Sequence, residues 1–307
     1  MEAMGRGDFA GAWQISDRIL QSSGEPDWTR PRHLQRVWSG APLAGRRVLV
    51  RCYHGLGDTI QFIRLARPLR ELAAEVTVWV QPALLALIAG VAGVDRVLPL
   101  HDGTPDVAYD VDIEIMELAH ALRIDLSTLP RAVPYIFPPR RRSAAQRRRA
   151  CIGLVWQAGG WDARRTLPDA LVERLIRSVD ADFVSLRPGA MRLAVSGMID
   201  ASSESIVSTA VRMAELDLVI SVDTMAAHLA GALGRPVWTL LHASCDWRWM
   251  RDREDSPWYP TMRLFRQPRP DDWSAVVNVV IQTLRAHLVD CQSPRRLPPV
   301  PAFPPRR

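Results

Sequence analysis

From residue 46 onward, short apolar runs alternate with amphipathic stretches, and this alternation constrains the fold more than any other feature. Such alternation is typical of parallel βαβ units, in which helices cross over between neighbouring strands of one sheet. The predicted strands are 47–53, 76–81, 96–100 and 111–115, then 151–157, 182–186, 216–222 and 236–241. The pattern therefore predicts an α/β chain with two Rossmann-like domains.

A stretch rich in proline and arginine separates the two sets of strands. It offers no core-forming face between residues 130 and 150, so we place a domain boundary there. The predicted segments are a helical N-terminal segment at 1–44, a first Rossmann-like domain at 45–138, an arginine-rich linker at 139–150, a second Rossmann-like domain at 151–292 and a disordered tail at 293–307. We expect the two domains to face each other across a cleft, with the last helix, 273–289, crossing back to the first domain.

The basic side chains exclude several chemistries. All 39 are arginine, and the formal net charge is +6. Because lysine is absent, a pyridoxal Schiff base, an aldolase imine and a Walker-type phosphate loop are excluded. The arginines are dispersed and lack the interleaved aromatic residues of a single-strand-binding face, so we expect no nucleic-acid ligand. The arginine run at 140–149 is either a solvated linker or a weak contact with acidic lipid headgroups.

Hydropathy and cysteine spacing bound the setting of the protein. No window approaches the ~20 apolar residues of a membrane span, and no apolar run follows Met1, so we expect a cytoplasmic protein. The four cysteines show no Cys-x-x-Cys spacing. The sequence therefore predicts neither a zinc knuckle nor a disulfide framework.

The first predicted strand runs into a glycine turn, Gly55-Leu56-Gly57-Asp58, that opens a helix. The two glycines let backbone amides approach a ligand, and the helix N-terminus favours negative charge. The third glycine of a dinucleotide fingerprint is missing, so NAD binding is disfavoured. Two interpretations of Asp58 stay open, because it can cap the helix or act as a cleft-facing general base.

A second strand-to-helix junction, Asp223-Thr224, follows the buried strand 216–222, and His228 lies one turn further along. The first amides and the dipole of that helix suit a diphosphate at the mouth of the sheet. The alternatives are plain capping by Asp223 or Thr224 and a hydrogen-bonded core histidine at position 228.

Arginines also follow predicted strands of the second half, with Arg164 and Arg165 after the first and Arg187 after the next. Open α/β sheets bind ligands at the carboxyl ends of their strands, so these arginines can pair with a phosphate, although a lone arginine there is more often a solvated charge. The tryptophan-rich loop 246–260 either stacks on a sugar or nucleobase or anchors itself to the domain.

Taken together, the motifs resemble the glycosyltransferase family that includes the ADP-heptose lipopolysaccharide heptosyltransferases, and more closely its relatives found after tetratricopeptide repeats. The resemblance covers roughly residues 45–290. It rests on the glycine turn with the following Thr59-Ile60-Gln61-Phe62, on Gly153-Leu154-Val155-Trp156, on Ser221-Val222-Asp223-Thr224 with His228, and on Asp246-Trp247-Arg248-Trp249 through Ser256-Pro257-Trp258-Tyr259-Pro260.

This resemblance implies a GT-B fold, a nucleotide-sugar donor with ADP favoured, inversion at the anomeric carbon, and neither a metal ion nor another cofactor. It assigns the general base to Asp58. The implied donor-binding residues are Trp156, Arg165, Arg187, Asp223, Thr224 and His228, and the implied acceptor-side residues are His54, Gly55 and Gly57. Arg165 stands where heptosyltransferases carry lysine, Arg187 where the closer relatives begin Gln-Lys-Gly, and His54 where relatives often carry glutamine.

We therefore expect a metal-independent inverting glycosyltransferase that moves a sugar such as heptose to a hydroxyl of a glycan, lipid or protein. The alternative is a non-catalytic nucleotide-sugar-binding or scaffold protein with the same fold. A third candidate, a dehydrogenase, is weakened by the incomplete glycine fingerprint.

Overall fold

The computed structural model describes residues 2–24, 26–139, 149–160, 162–187 and 197–292, with side chains up to residue 289. The predicted tail and most of the predicted linker therefore lie outside the described residues. Two separate parallel sheets are present, one of four strands and one of six. The first contains β1 (Arg47–Arg51), β2 (Glu75–Val80), β3 (Arg96–Pro99) and β4 (Val111–Glu114), and the second contains β5 (Cys151–Val155), β6 (Asp182–Ser185), β7 (Ile199–Asp200), β8 (Leu218–Val222), β9 (Val237–Leu241) and β10 (Met262–Arg266).

The strand orders are β3-β2-β1-β4 and β10-β9-β8-β5-β6-β7, and every pairing is parallel. The prediction of two Rossmann-like sheets is confirmed. In β8 all five residues are buried, as expected for a parallel strand covered on both faces. The sequence analysis missed the edge strands β7 and β10. β7 has only two residues, and β10 carries two arginines among its five residues, so neither produces a long apolar run.

Helices precede the first strand, lie in the connections between strands and follow the last strand. They are α1 (Glu2–Gly5), α2 (Phe9–Ser22), α3 (Leu56–Phe62), α4 (Ala66–Leu72), α5 (Leu85–Ile88), α6 (Leu118–Ala121), α7 (Asp169–Ser178), α8 (Ile206–Met213), α9 (Met225–Ala232) and α10 (Trp273–Gln292). A 3-10 turn at Ile63–Leu65 separates α3 from α4, whereas the amphipathic pattern predicts one helix from about residue 58 to residue 74. Pro68 lies in the first turn of α4, where its missing N–H does no harm.

The last helix, α10, packs on the second domain, so the prediction that it crosses back to the first domain is wrong. Its buried side chains Val277, Val280 and Leu284 share a core with α7 and with Trp238 of β9. The guanidinium of Arg285 donates to the carbonyl oxygen of Ser178 at the end of α7, at 2.8 Å. The apolar face of α10 is therefore covered by the sheet that immediately precedes it.

The predicted helical N-terminal segment is present and packs on the first domain. The indole of Trp13 in α2 donates to the carbonyl oxygen of Ile124 at 2.8 Å, and Asp17 pairs with His120 and Arg123. Near the start of the segment, the carbonyl oxygen of Gly5 accepts from the backbone N–H of Arg251, which follows the 247–249 turn of the second domain. The segment thus touches both domains.

The two domains meet where α3 packs against α9. A Cβ atom on Gly57 would lie 3.0 Å from Cδ2 of His228 and 3.3 Å from Cα of Met225. The glycine is therefore needed for the close approach of two helices. From the sequence we predict that Gly57 allows the backbone to approach a ligand, and this role stays a prediction.

Gly231 on α9 makes a second close approach, to Tyr259 in the loop before β10. A Cβ there would meet the Tyr259 ring at 2.4 Å, so Gly231→Ala should lower the free energy of unfolding by about 1–3 kcal/mol despite the better helix propensity of alanine. Chemical denaturation measures the effect. Gly90→Ala is the control, because no atom lies within 4 Å of its added Cβ. Equal stability of the two variants would show that the ring moves aside at no cost.

Candidate active site

The carboxyl ends of β1 and β8 lead into the two helices that meet at the domain interface. β1 ends at Arg51 and α3 begins at Leu56, while β8 ends at Val222 and α9 begins at Met225. Ligands bind open α/β sheets at the carboxyl ends of their strands. The two junctions singled out in the sequence therefore lie next to each other, in different domains.

The carboxylate of Asp58 both caps its own helix and contacts the second domain. One carboxylate oxygen, Oδ2, accepts from the backbone N–H of Gly55 at 3.0 Å and so caps α3. The other, Oδ1, accepts from Nη1 of Arg248 at 2.7 Å, across the domain interface. The side chain is 20 % exposed, so it remains within reach of solvent. Capping and an orientation towards the second domain are thus compatible, and the role as general base stays a prediction.

Arg248 is the residue to which the sequence analysis gave no individual role. Its Nε donates to Oδ1 of Asp246 at 2.9 Å, and only 11 % of its side chain is exposed. Burial alone would lower the pKa of Arg248. The nearby carboxylates of Asp246, Asp58 and Asp223 outweigh this effect and raise the pKa of Arg248. The available signal was its place in the Asp-Trp-Arg-Trp motif, since an arginine among tryptophans in a loop is suited to a partly desolvated ion pair.

Arg165 lies in the turn after β5, and its guanidinium reaches the segment just before α9. Its Nη1 donates to the carbonyl oxygen of Asp223 at 3.1 Å and lies 4.0 Å from Oδ2 of the same residue. Burial raises the pKa of Asp223, while Trp249, Arg248 and Arg165 partly offset the shift. Two permanent cations therefore act on Asp223, which lies two residues before the first residue of α9.

Thr224 is the N-cap of α9, but its side chain makes no capping hydrogen bond with the helix. Its Oγ1 lies 3.2 Å from Oγ of Ser221 instead. Capping by the Thr224 hydroxyl is therefore absent from this structure. The amides at the start of α9 keep the character of an anion-binding helix end.

His228 is buried and hydrogen-bonded, as in the core-histidine alternative. Its Nδ1 lies 3.0 Å from the hydroxyl of Tyr259, and its ring stacks on Trp249 at 5.2 Å between centroids. Burial, followed by the nearby Arg248 and Arg64, lowers the pKa of His228, so the ring is neutral at pH 7. His228 thus packs against Tyr259 and Trp249, and a role in donor binding stays a prediction.

Trp156 and Arg187 form a pair of their own. The ring of Trp156 is 1 % exposed, and its Nε1 donates to Asp169 at 2.7 Å. The guanidinium carbon of Arg187 lies 5.3 Å from the centre of that ring, and Arg187 also lies near Asp200. Trp156 is thus a core residue that supports Arg187, and donor contact by either side chain stays a prediction.

Beside His54 lies a buried acidic residue that was not predicted from the sequence. Oε1 of the buried Glu114 lies 2.9 Å from Nδ1 of His54 and accepts from the backbone N–H of Tyr53 at 3.2 Å. Burial of His54 opposes its charge, but Glu114, supported by Asp58, outweighs it and raises the pKa of His54. No motif marks Glu114, because its role arises from the pairing of β4 with β1.

Glu117 lies one turn after Glu114 and holds the N-terminal segment. Its carboxylate accepts from the backbone N–H groups of Trp38 at 2.9 Å, Val37 at 3.3 Å and Glu114 at 3.0 Å. Burial is the largest effect and raises the pKa of Glu117 to about 7, although these hydrogen bonds oppose the shift. The folded protein therefore favours the protonated acid.

This shift predicts a pH dependence of stability. Between the ordinary value of 4.5 and about 7, the folded state binds more protons at Glu117 than the unfolded state does. The stabilising effect of the protonated acid is thus complete below pH 4.5 and is lost as pH rises through 7. We expect the difference in unfolding free energy between wild type and Glu117→Gln to change by up to about 3 kcal/mol over this window. Denaturation at several pH values measures it, and a pH-independent difference would contradict the assignment.

Within the part of the chain that the structure describes, no group of three or more histidine, cysteine, aspartate or glutamate side chains is arranged to hold a metal ion. In the same residues, no helix combines the length and the apolar character that crossing a membrane requires. Within the described residues, Cys52 and Cys245 form no disulfide.

No family profile matches the chain. Among curated proteins, FlbA of Caulobacter vibrioides is 25 % identical over 290 residues, an alignment that covers 81 % of this chain and 48 % of FlbA. The chain therefore spans about half the length of that relative.

Solved structures resemble the chain over most of its length. A family 9 glycosyl transferase from Veillonella parvula matches with a TM-score of 0.55 and 13 % identity, over 81 % of this chain and 99 % of that one. The ADP-heptose lipopolysaccharide heptosyltransferase II of Escherichia coli matches with a TM-score of 0.56 and 13 % identity, over 80 % and 100 %. The iron-containing dodecameric glycosyltransferase TibC of enterotoxigenic E. coli matches with a TM-score of 0.53 and 12 % identity, over 82 % and 77 %. These likenesses show the fold, so the expected GT-B architecture is confirmed.

Proposed function

We propose that the protein is a glycosyltransferase that moves a sugar from a nucleotide-sugar donor to an acceptor hydroxyl, with inversion at the anomeric carbon. The observation that carries the proposal is the contact between Asp58 of the first domain and Arg248 of the second, next to the start of α9. A carboxylate and a cationic anion-binding helix end are thereby held at one interface. These are the two groups that glycosyl transfer requires.

In the proposed reaction the acceptor oxygen forms a bond to the anomeric carbon as the bond from that carbon to the diphosphate breaks. Asp58 takes the hydroxyl proton, and the diphosphate leaves with the bonding electron pair. The α9 amides and Arg165 stabilise the departing charge. The Nε atom of Arg165 is buried and has no hydrogen-bond partner among the described residues, which supports an anion as its partner.

The remaining assignments follow the same division between the domains. Asp223 and Thr224 set the start of α9, and His228 keeps that helix packed against α3. Arg187, supported by Trp156, lies at the carboxyl end of β6 and serves the donor side. His54, Gly55 and Gly57 line the acceptor side, where a glycan, lipid or protein hydroxyl would enter. We also propose a cytoplasmic location and no nucleic-acid ligand. A lipid contact by residues 140–148 concerns a segment outside the described residues.

An ADP-sugar is the favoured donor, because the E. coli neighbour is named for ADP-heptose. We propose that arginines and helix amides replace a metal ion in neutralising the diphosphate. TibC is an iron-containing neighbour, so metal dependence needs a direct test. Turnover that persists in a chelator supports the proposal, and strict dependence on an added metal would contradict it.

A non-catalytic nucleotide-sugar-binding protein is the second candidate. The observation that favours it is that Asp58 is already held by the Gly55 amide and by Arg248, while α3 and α9 are packed together. A scaffold or sensor would bind the donor without turning it over. Measuring donor binding and turnover on the same preparation separates the two candidates.

The test is titration calorimetry of the wild type with ADP-, UDP-, GDP- and dTDP-sugars. Arg165→Ala should weaken binding of the preferred donor by about 1.5–3 kcal/mol, because a charge-assisted hydrogen bond is lost. Arg164→Ala is the matched control, since this neighbour is 63 % exposed and pairs with Asp162. Equal affinity of the wild type and the Arg165 variant would remove Arg165 from the donor site.

A further inference from the structure

Arg248 is held at one end and reaches across the domain interface at the other. Its Nε and its backbone N–H both donate to Oδ1 of Asp246, at 2.9 and 3.0 Å. Its Nη1 donates to Asp58 at 2.7 Å. The Nε end of the guanidinium is thus fixed by the residue two positions earlier, whereas Nη1 pairs with a residue of the other domain.

The same fork lies beside the start of α9, because a Cβ atom on Gly57, next to Asp58, would lie 3.3 Å from Cα of Met225. Asp223, the residue before Thr224 and α9, contributes to the charge balance of Arg248, and Arg165 donates to the Asp223 carbonyl oxygen. A diphosphate at this helix end would carry more charge than the single carboxylate of Asp58 and would present several oxygens to the planar fork. A diphosphate bound there would therefore compete with Asp58 for one guanidinium.

We propose that Arg248 is a positioning residue that couples donor binding to the release of Asp58. Without donor, the guanidinium is paired with Asp58. When the donor diphosphate binds at the start of α9, Nη1 turns to a phosphate oxygen, and the Asp58 carboxylate becomes available for the acceptor hydroxyl. The inference rests on the proposed function and adds an order to it, with the donor binding before the acceptor is activated.

The competition predicts an unusual effect of removing the carboxylate. In calorimetric titrations with ADP, Asp58→Asn should bind about three- to tenfold more tightly than the wild type, because the competing partially buried ion pair is gone. Arg248→Gln should bind at least about tenfold more weakly, because a charge-assisted contact to phosphate is lost. In the double variant, Asp58→Asn should no longer tighten binding. If the Asp58–Arg248 pair only holds the two domains together, no variant should bind ADP more tightly than the wild type.

Controls keep the outcomes distinct. Arg253→Gln changes an arginine of the same loop that pairs with Asp255, and its ADP affinity should equal that of the wild type. Melting temperatures report whether each variant is folded, and Arg248→Lys retains the charge if Arg248→Gln unfolds the protein; it should bind ADP at an affinity between those of Arg248→Gln and the wild type. Unchanged or weaker ADP binding by Asp58→Asn, with binding by the wild type intact, would overturn the coupling alone. If the wild type bound none of ADP, UDP, GDP and dTDP, the proposed function would fail and the coupling with it.

Discussion

Asp58→Asn should reduce turnover by roughly 10²–10⁴-fold while the protein stays folded and ADP binds more tightly than to the wild type. The amide is isosteric with the carboxylate and can still accept from the Gly55 N–H, so the cap on α3 is largely preserved. It cannot take the proton of an acceptor hydroxyl. Release of nucleoside diphosphate from the tightest-binding donor measures turnover, with water as the acceptor where no other is supplied.

The matched control for this variant is Asp8→Asn. Asp8 caps α2 through a hydrogen bond from the Gly11 N–H at 2.8 Å, on a helix other than α3 and α9. We expect its stability loss to be about 1 kcal/mol or less and its turnover to equal that of the wild type. If Asp58→Asn behaved like Asp8→Asn in both measurements, Asp58 would be a helix cap and nothing more.

The two junctions were predictable from the sequence because each is a local pattern. A strand that ends in Gly-x-Gly-Asp and a strand that ends in Asp-Thr both announce a helix start, and the structure places α3 and α9 there. Their polar side chains follow the carboxyl ends of parallel strands, which meet at one edge of each sheet. Local pattern thus sufficed to place Asp58, Arg165 and Asp223.

The partner of Asp58 was not predictable in this way. Asp58 and Arg248 are 190 residues apart, and their contact depends on how two separately folded sheets are docked. The hydrophobic periodicity of the sequence carries no information on how the two domains dock. The same limit applies to Glu114, whose position beside His54 follows from the β1–β4 register. It applies to α10 as well, since its apolar face identifies a buried helix without saying which domain covers it.

Buried aromatic residues set another limit. Trp156 belongs to a motif that carries the family resemblance, yet its ring lies in the core and donates to Asp169. His228 likewise pairs with Tyr259 inside the interface. A motif residue can therefore recur because it supports the site, and sequence alone does not separate support from contact.

Arg64 is the residue whose loss should most reduce the stability of the domain interface. This arginine of the first domain is 4 % exposed. Its guanidinium donates to the carbonyl oxygens of Pro130 and Trp258 and to the hydroxyl of Tyr135. It also lies 4.4 Å from the centre of the Tyr135 ring and 4.5 Å from that of Tyr259. One side chain thus joins the first domain to the loop that precedes β10.

Replacing Arg64 by methionine keeps much of the side-chain length but leaves these buried acceptors unpaired. We expect Arg64→Met to lower the free energy of unfolding by about 3–5 kcal/mol, a large share of the stability of a typical domain. Urea denaturation followed by tryptophan fluorescence measures the change. Arg67→Met, three residues further along, is the control, because that side chain is 71 % exposed and forms an ion pair with Glu71 four residues away. It should change stability by no more than about 0.5 kcal/mol. Similar midpoints for the two variants would mean that the interface is held by the α3–α9 contact without help from the buried cation.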